Sequence, residues 1–296
     1  MSPSRVRQAV AHVQETHLVS QRRACRVLDQ HRSTQRYGRK LKDDEPRLVK
    51  RIHELVRRHP RYGYRRVWAL LVTEGWRVNV KRIERLWRRE GLKVPRKPRK
   101  KRRLGSSENA CHRRRSERMN DVWCWDFAFD RTVNGSALKW LSIIDEFTRE
   151  CLTLDVDRGI TSEDVIDALA ELFATRGVPA HIRSDNGPEF IANAIQSWTR
   201  QLEISTLYIA PGAPWENGYA ESFHSKLRDE FLACEEFTSL HEARLLTRAW
   251  KREYNEVRPH SSLGYVAPAA FARACADSVR AAPSLHQHTL TTPQLS

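Results

Sequence analysis

Along the N-terminal third of the chain, apolar side chains recur every three or four positions, the period of a helix with one buried face. Val6, Ala9, Val10 and Val13 mark a first helix, and Ser20 is placed to cap a second that reaches Leu28. Asp29 to Ser33 reads as a polar turn, with Ser33 opening a short third helix through Tyr37. From Asp44 the period strengthens. Leu48, Ile52, Leu55 and Val56 form one stripe, stopped by His59-Pro60. Val67, Trp68, Leu70 and Leu71 belong to a shorter helix ending at Gly75. Asn79 caps the next, whose Val80, Ile83, Leu86 and Trp87 face inward and which Gly91 closes.

At Asp121 the pattern changes to alternation, the period of a half-buried strand. Val122–Asp130, Leu138–Asp145 and Cys151–Val156 are predicted strands, separated by turn residues such as Asn134-Gly135. In the first, Trp123, Trp125, Phe127 and Phe129 share one face, and Cys124, Asp126 and Ala128 the other. Thr161 or Ser162 then caps a helix carrying Val165, Leu169, Leu172 and Phe173 and closed by Gly177. A strand over Ala180–Ser184, a helix over Glu189–Leu202 and a strand over Thr206–Ile209 follow. After a loop rich in proline and glycine, one helix runs to about Leu232 and another spans Leu240–Glu256. This order predicts an α/β fold, a mixed five-stranded sheet with flanking helices, preceded by an all-α helix-turn-helix region.

Charge sharpens the division. The 296 residues carry a net +16, but residues 1–120 hold 36 Lys+Arg against 11 Asp+Glu, and residues 121–296 hold 16 against 25. A basic front on an acidic back suits a polyanion-binding module attached to something else, and nucleic acid is the commonest polyanion. Lys81, Arg82, Arg85, Arg88 and Arg89 occupy the outward positions of the last N-terminal helix, with only Glu84 and Glu90 interleaved between residues 79 and 90. Such a face fits the recognition helix of a helix-turn-helix, although most basic helix faces are simply solvated. Residues 96–103 hold seven basic side chains in eight, Arg99, Lys100, Lys101, Arg102 and Arg103 among them. With prolines, a glycine and serines nearby they read as a linker that tracks phosphates without reading sequence. The expected organisation is a helical segment (1–42), a helix-turn-helix domain (43–94), a basic linker (95–117), an α/β core (118–275) and a disordered tail (276–296). Six scattered cysteines form no C-x-x-C pair, which argues against a zinc ribbon or a disulfide framework. No apolar run reaches membrane length and no signal-peptide core opens the chain, so a cytoplasmic location is expected.

Candidate chemistry lies in three carboxylates. Asp126 sits in mid-strand between small residues, an expensive place for a charge unless it is exposed or liganded. Asp185 stands where a strand gives way to Asn186-Gly187-Pro188, at the strand end where sheets with helical crossovers hold ligands. Glu221 lies beside the apolar stripe Ala220, Phe223, Leu227 and Phe231, on a neighbouring stripe with Ser225 and Arg228. Each alone is weak, since an Asp before Asn-Gly is usually a turn residue and a Glu on a basic helix usually a surface charge. Converging carboxylates are what two-metal phosphodiester chemistry needs. Asp121, Asp130, Asp145, Glu189 and Glu216 are rivals placed below the trio.

The segments Trp125-Asp126-Phe127, Ser184-Asp185-Asn186-Gly187-Pro188-Glu189-Phe190 and Glu216-Asn217-Gly218-Tyr219-Ala220-Glu221-Ser222-Phe223 resemble the motifs of the DDE integrase core. More narrowly, they are similar to the transposase encoded by the second reading frame of the IS-three group of bacterial insertion sequences. Thirty-five residues separate Asp185 from Glu221, the separation that family uses, and residues 254–265 match its ending motif. The resemblance implies an RNase H-like fold, metal ligation by Asp126, Asp185 and Glu221, and two Mg²⁺ ions with Mn²⁺ as a substitute. It also implies cleavage and joining of double-stranded DNA at element ends and target, by a homo-oligomer at the bacterial nucleoid. An upstream-frame protein, with its own helix-turn-helix and leucine zipper, is the implied fusion partner. Arg228 falls where the family places a basic residue, on the Glu221 stripe and about 10 Å further along. From there it reaches a phosphate just outside the metals. Two other readings stand beside this one, a purely hydrolytic nuclease of the same fold and a non-catalytic DNA-binding repressor.

Overall fold

In the computed structural model, residues 3–37, 43–94, 115–184, 195, 197–201, 205–208 and 218–281 are described. The chain divides into two compact units, Met1–His53 and Glu54–Ser296. The first holds α1 (Pro3–His17), α2 (Gln21–Val27) and α3 (Arg32–Arg36). Val10, Ala24 and Cys25 bury together, with Val13, Val19 and Leu28 packed against them. The Ser20 hydroxyl caps α2 by accepting from the Arg23 amide. α3 opens earlier than its expected start at Ser33, because the His31 ring accepts from the Ser33 amide and caps the helix. α4 (Glu45–Arg58) spans the boundary between units and ends before His59-Pro60, with Leu48, Ile52 and Leu55 buried.

The second unit opens with α5 (Tyr64–Thr73) and α6 (Val80–Arg89), which pack on one another. The Asn79 side chain caps α6 by accepting from the Lys81 amide, and the Trp68 indole donates to the Val78 carbonyl at 2.9 Å. Ile83, Leu86 and Trp87 are buried as the helical period requires, while Val80 is half-buried.

Five strands follow: β1 (Val122–Arg131), β2 (Ala137–Asp145), β3 (Cys151–Asp157), β4 (His181–Ser184) and β5 (Ser205–Tyr208). Their order is β3-β2-β1-β4-β5. The β1–β2 and β2–β3 pairs are antiparallel, and the β1–β4 and β4–β5 pairs are parallel. This is the RNase H-like arrangement. Alternation along β1 sends its two faces to different cores. Trp123 and Trp125 pack with Val165, Leu169 and Leu172 of α7 (Ser162–Arg176). Cys124 and Ala128 pack with Ala220, Phe223 and Leu227 of α8 (Gly218–Leu227) and with Ala243 and Tyr254 of α9 (Leu240–Glu256). Thr161 and Asp164 close a capping box at the start of α7, and Gly177 ends it with φ +83°. The helix expected over Glu189–Leu202 falls largely outside the described residues, and within it residues 195 and 197–201 are helical.

Two expectations change. The helix expected to run on to about Leu232 stops being α-helical at Leu227, and Arg228–Leu232 form a π segment. Within it the consecutive residues Glu230 and Phe231 both face inward. At the C-terminus, α10 (Pro268–Ala281) carries order beyond the expected tail boundary at 276, as its alanine-rich composition favours. Residues 282–296 of the expected tail lie outside the described residues. Among the described residues, no helix is long and apolar enough to cross a membrane.

Glu230 is where the second unit is tied together. Arg258 donates to it twice, from Nε at 2.5 Å and Nη2 at 2.7 Å, and Arg66 of α5 donates from Nη1 at 2.8 Å. The carboxylate and Arg258 are almost wholly buried, beside Tyr62 and Tyr254, whose rings lie under the guanidinium groups of Arg66 and Arg258. Burial alone would raise the Glu230 carboxyl, but the two arginines hold it below its ordinary value. A depressed carboxyl contributes stability that is fully present above its unfolded pKa and is lost as pH falls through the folded one. Glu230→Gln leaves Arg258 buried without its counter-charge, so it should destabilise by about 3–5 kcal/mol. Urea unfolding at neutral pH measures this, and the gap to wild type should narrow as pH falls below the ordinary carboxylate range. Equal unfolding midpoints at neutral pH would show that the pair does not hold the fold.

Candidate active site

Asp126 enters the site from the middle of β1, paired in register with Ser142 of β2. Its own face of the strand holds Cys124 and Ala128, small enough for α8 to approach closely. Ala220, Phe223 and Leu227 anchor α8 on that face, which turns Glu221 outward to solvent at the mouth of the same cleft. Asp126, Glu221, Ser225 and Arg228 line this cleft together. The i, i+4, i+7 stripe therefore survives the start of the π segment at Arg228. Of the acids next to Arg228 in sequence, Asp229 lines the same cleft and Glu230 faces inward. Asp229 lies 3.9 Å from Arg61, and Glu230 is held by Arg66 and Arg258.

The Asp126 carboxylate is fixed from two sides. Oδ1 accepts from the Phe127 amide at 2.7 Å, and Oδ2 lies 3.1 Å from His224 Nδ1. The other ring nitrogen of His224 lies 2.8 Å from Ser142 Oγ, which donates to the Asp126 carbonyl at 3.1 Å. An ionised carboxylate only accepts, so Nδ1 is the nitrogen that carries a proton toward it. His224 thus ties the catalytic helix to the central strand through a short polar chain inside an otherwise apolar contact. Sequence reading overlooked this residue. The available signal was its place beside Phe223 and four residues after Ala220, on the stripe whose other members are apolar.

Of the rival carboxylates, Asp145 is an organiser of the β2–β3 turn. It is fully buried, its Oδ1 accepts from the Phe147 and Thr148 amides, and its Oδ2 accepts from Asn120. Burial raises its carboxyl despite those three donors. Asp121 accepts from the Glu117 amide and Asp130 from the Arg131 amide, and neither lines the cleft. Asp185, Glu189 and Glu216 lie outside the described residues.

The donor set fits a hard divalent cation. Asp126 and Glu221 both offer carboxylate oxygens to one open cleft, and each Asp126 oxygen that accepts a hydrogen bond keeps a further lone pair. Among the described residues no three His, Cys, Asp or Glu side chains cluster as a metal site, and the third candidate, Asp185, is not among them.

On α6, Lys81, Arg85, Arg88 and Arg89 are exposed and Arg82 is half-buried. The two interleaved acids are both engaged, Glu84 with Arg88 at 2.6 Å and Glu90 with Arg89 at 2.9 Å. Exposed pairs of this kind contribute little and leave the face cationic. Arg99, Lys100, Lys101, Arg102 and Arg103 lie outside the described residues.

The sequence matches two family models described as integrase core domain, over residues 116–214 and 202–268, and one described as HTH-like domain over residues 42–101. It is 40% identical over 272 residues to an uncharacterized 39.2 kDa protein of insertion element IS476 from Xanthomonas euvesicatoria, covering 92% of this chain and 78% of that protein. It is 31% identical over 244 residues to the transposase InsD for insertion element IS2 from Escherichia coli, covering 78% of this chain and 79% of that one. Among solved structures it is similar to a chain of the simian T-cell lymphotropic virus intasome in complex with PP2A regulatory subunit B56 gamma. That likeness has 18% identity, a TM-score of 0.46, and coverage of 62% of this chain and 63% of the other.

The polar chain through His224 makes its own prediction. Residues that orient a metal-binding carboxylate typically change metal affinity about 10–100-fold when removed. His224→Ala should weaken the thermal stabilisation given by Mg²⁺ to that extent, with His224→Asn recovering part of it. Unchanged Mg²⁺ titration of the melting temperature in His224→Ala would confine the histidine to packing.

Proposed function

The chain belongs to the insertion-element transposases with a DDE-type integrase core, enzymes that cut and join DNA strands, and from that membership we propose the part each region plays. The observation that carries the reading is the convergence of Asp126, Glu221 and Arg228 on one open cleft. Asp126 and Glu221 are proposed as metal ligands with Asp185 as the third. Support for Asp185 comes from the parallel register, in which Cys124 pairs with Arg183 and each carboxylate follows its partner by two residues. Two Mg²⁺ ions, replaceable by Mn²⁺, would supply activation of the attacking hydroxyl and stabilisation of the departing oxygen. His224 holds the Asp126 carboxylate turned toward the cleft. Arg228 binds a phosphate oxygen of the DNA end and aligns the scissile phosphate for in-line attack. Cleavage forms a bond from water oxygen to phosphorus as the bond to the element's 3′ oxygen breaks. Joining then forms a bond from that freed 3′ oxygen to a target phosphorus, and the target's own phosphorus–oxygen bond breaks.

The front of the chain supplies binding. Residues 43–94 are proposed as the helix-turn-helix domain that reads element ends through Lys81, Arg82, Arg85, Arg88 and Arg89. Residues 95–117, with Arg99 to Arg103, serve as a linker that follows phosphates, and residues 118–275 form the catalytic core. Two element ends and a target must be held together, so the working form is a homo-oligomer on DNA, with an upstream-frame protein as a further partner. Its DNA substrate locates that assembly at the nucleoid.

Purified protein mixed with Mg²⁺ and labelled element ends should give nicked and then joined products. Nicking without joining would make the enzyme a hydrolase, and no product at all would remove the catalytic reading. Asp126→Asn, Asp185→Asn and Glu221→Gln should each abolish cleavage while leaving folding and DNA binding in place. Near-wild-type cleavage by any of the three would remove that residue from the ligand set. Arg228→Ala should lose cleavage at unchanged melting temperature and Arg228→Lys should retain part of it, whereas an ordinary surface pair would cost only about 0–1 kcal/mol of stability and nothing in rate.

A further inference from the structure

Residues 254–265 carry one of the chain's most specific motifs, yet none of them lines the catalytic cleft. The fold gives them a different place. Tyr254 lies in the last turn of α9, Arg258 is buried on Glu230, and His260 pairs with Val266 across a tight turn at Ser261–Leu263, which Gly264 closes at φ +66°. Arg258 and His260 thereby form one wall of a second pocket, of about 260 Å³, against α8. This pocket runs along Tyr219, Phe223 and Lys226, one stripe round the helix from the catalytic cleft, and the two share Gly218 and Ser222.

The pocket is built for an anion. Arg66, Arg149, Lys226 and Arg258 line it, Lys226 donating to Ser222, and no carboxylate among the described residues does. Glu230 behind it supplies one negative charge against both Arg66 and Arg258, so positive charge is left over. Arg149 is the most telling member. It sits at φ +63° in the β2–β3 turn, a conformation that costs a side-chain-bearing residue free energy, and its guanidinium stacks on the Tyr219 ring at 3.8 Å. Its Nη1 is shut off from water with no hydrogen-bond partner among the described residues. Burial, and then Arg258, Arg149, Lys226 and Arg66, push the His260 imidazole down to about 3, so it stays neutral and can accept or donate without adding charge. At about 260 Å³ the space is below the roughly 300–1,000 Å³ of pockets for drug-sized ligands, yet ample for a phosphodiester group.

We propose that this pocket binds a backbone phosphate of the DNA strand beside the scissile one, with Arg149 and Lys226 as its donors, so that the motif at 254–265 and the β2–β3 turn form a phosphate clamp flanking the active site. The inference rests on the strand-transfer reading, since it needs DNA running along α8. It adds a non-scissile contact point to that reading and gives the ending motif a task.

The test uses the full-length chain and the catalytically silent Asp126→Asn background, in which binding is read apart from cleavage. Arg149→Gln should lower affinity for an element-end duplex roughly tenfold, as for loss of one charge-assisted hydrogen bond, and reduce the slope of log affinity against log salt by about one. Arg149→Lys should restore the slope. In a series of duplexes, each carrying one uncharged methylphosphonate, a single position should weaken binding by the parent and have no effect on Arg149→Gln. Lys226→Gln serves as the second variant should Arg149→Gln melt early. If both variants keep parental affinity and salt slope, the clamp is wrong, even if the chain with Asp126 intact cuts and joins. Stabilisation of the parent alone by inorganic phosphate, at matched ionic strength and with DNA binding unaltered, would make the pocket a small-anion site and overturn the DNA assignment.

Discussion

One buried carboxylate fixes how the working parts of the second unit meet. Glu230 has three guanidinium hydrogen bonds from Arg66 and Arg258, which come from segments far apart in sequence. A charge taken so far out of water is tolerated only when its partners are in place, so the three segments have one arrangement available. The helix continues past Leu227 as a π segment, in which Glu230 meets its two arginines, Phe231 packs on Phe237 and Trp250, and Arg228 lines the cleft. Glu221 and Arg228 on the cleft and Glu230 on its buried arginine partners thus lie within ten consecutive residues.

The same helix solves a second problem, holding an acid in the middle of a sheet. Asp126 cannot sit at a strand end, where solvent would serve it, because the site lies where β1 is covered by α8. Cys124 and Ala128 on either side keep the helix close, and the His224–Ser142 chain supplies a polar partner inside that contact. Ser142 is therefore more than a β2 residue of suitable size. Its hydroxyl links the ring to the backbone of the strand that carries the carboxylate.

Much of this was legible because it depends on local pattern. Two-residue alternation separated the Trp123/Trp125 face of β1 from the Cys124/Asp126/Ala128 face, and the two faces do go to different cores. The caps at Ser20, Asn79 and Thr161 are local hydrogen bonds within three residues, and all three form. What pattern could not show was anything set by a partner distant in sequence. His224 looks like a polar blemish on an apolar stripe until Asp126 is brought to it. Glu230 looks like surface charge until Arg66 and Arg258 arrive, and the π turn that serves it has no periodicity of its own. Asp145 was the converse case, a carboxylate near the motifs whose backbone donors are Phe147 and Thr148 of the adjoining turn and the distant Asn120, which only the fold brings to it.

The charge split takes on a more specific meaning in this setting. The acidic back half is not uniformly repulsive to DNA, because its acids are largely spent on internal work. Asp145 organises a turn, Glu150 pairs with Arg176, Glu230 pairs with buried Arg258 and half-buried Arg66, and Asp157 engages Arg244. Along α8, Arg228 lines the cleft that holds Asp126 and Glu221, and Lys226 and Arg149 line the pocket on the next stripe. On the proposed reading, a strand following that helix would meet positive charge at two successive stations, with the proposed metal ligands at the first. On the proposed reading, affinity and chemistry within the core would be separated by about one stripe of a single helix. The large excess of charge in residues 1–120 would then bring DNA to the protein, and the few placed cations of the core would decide which phosphate meets the proposed metal site.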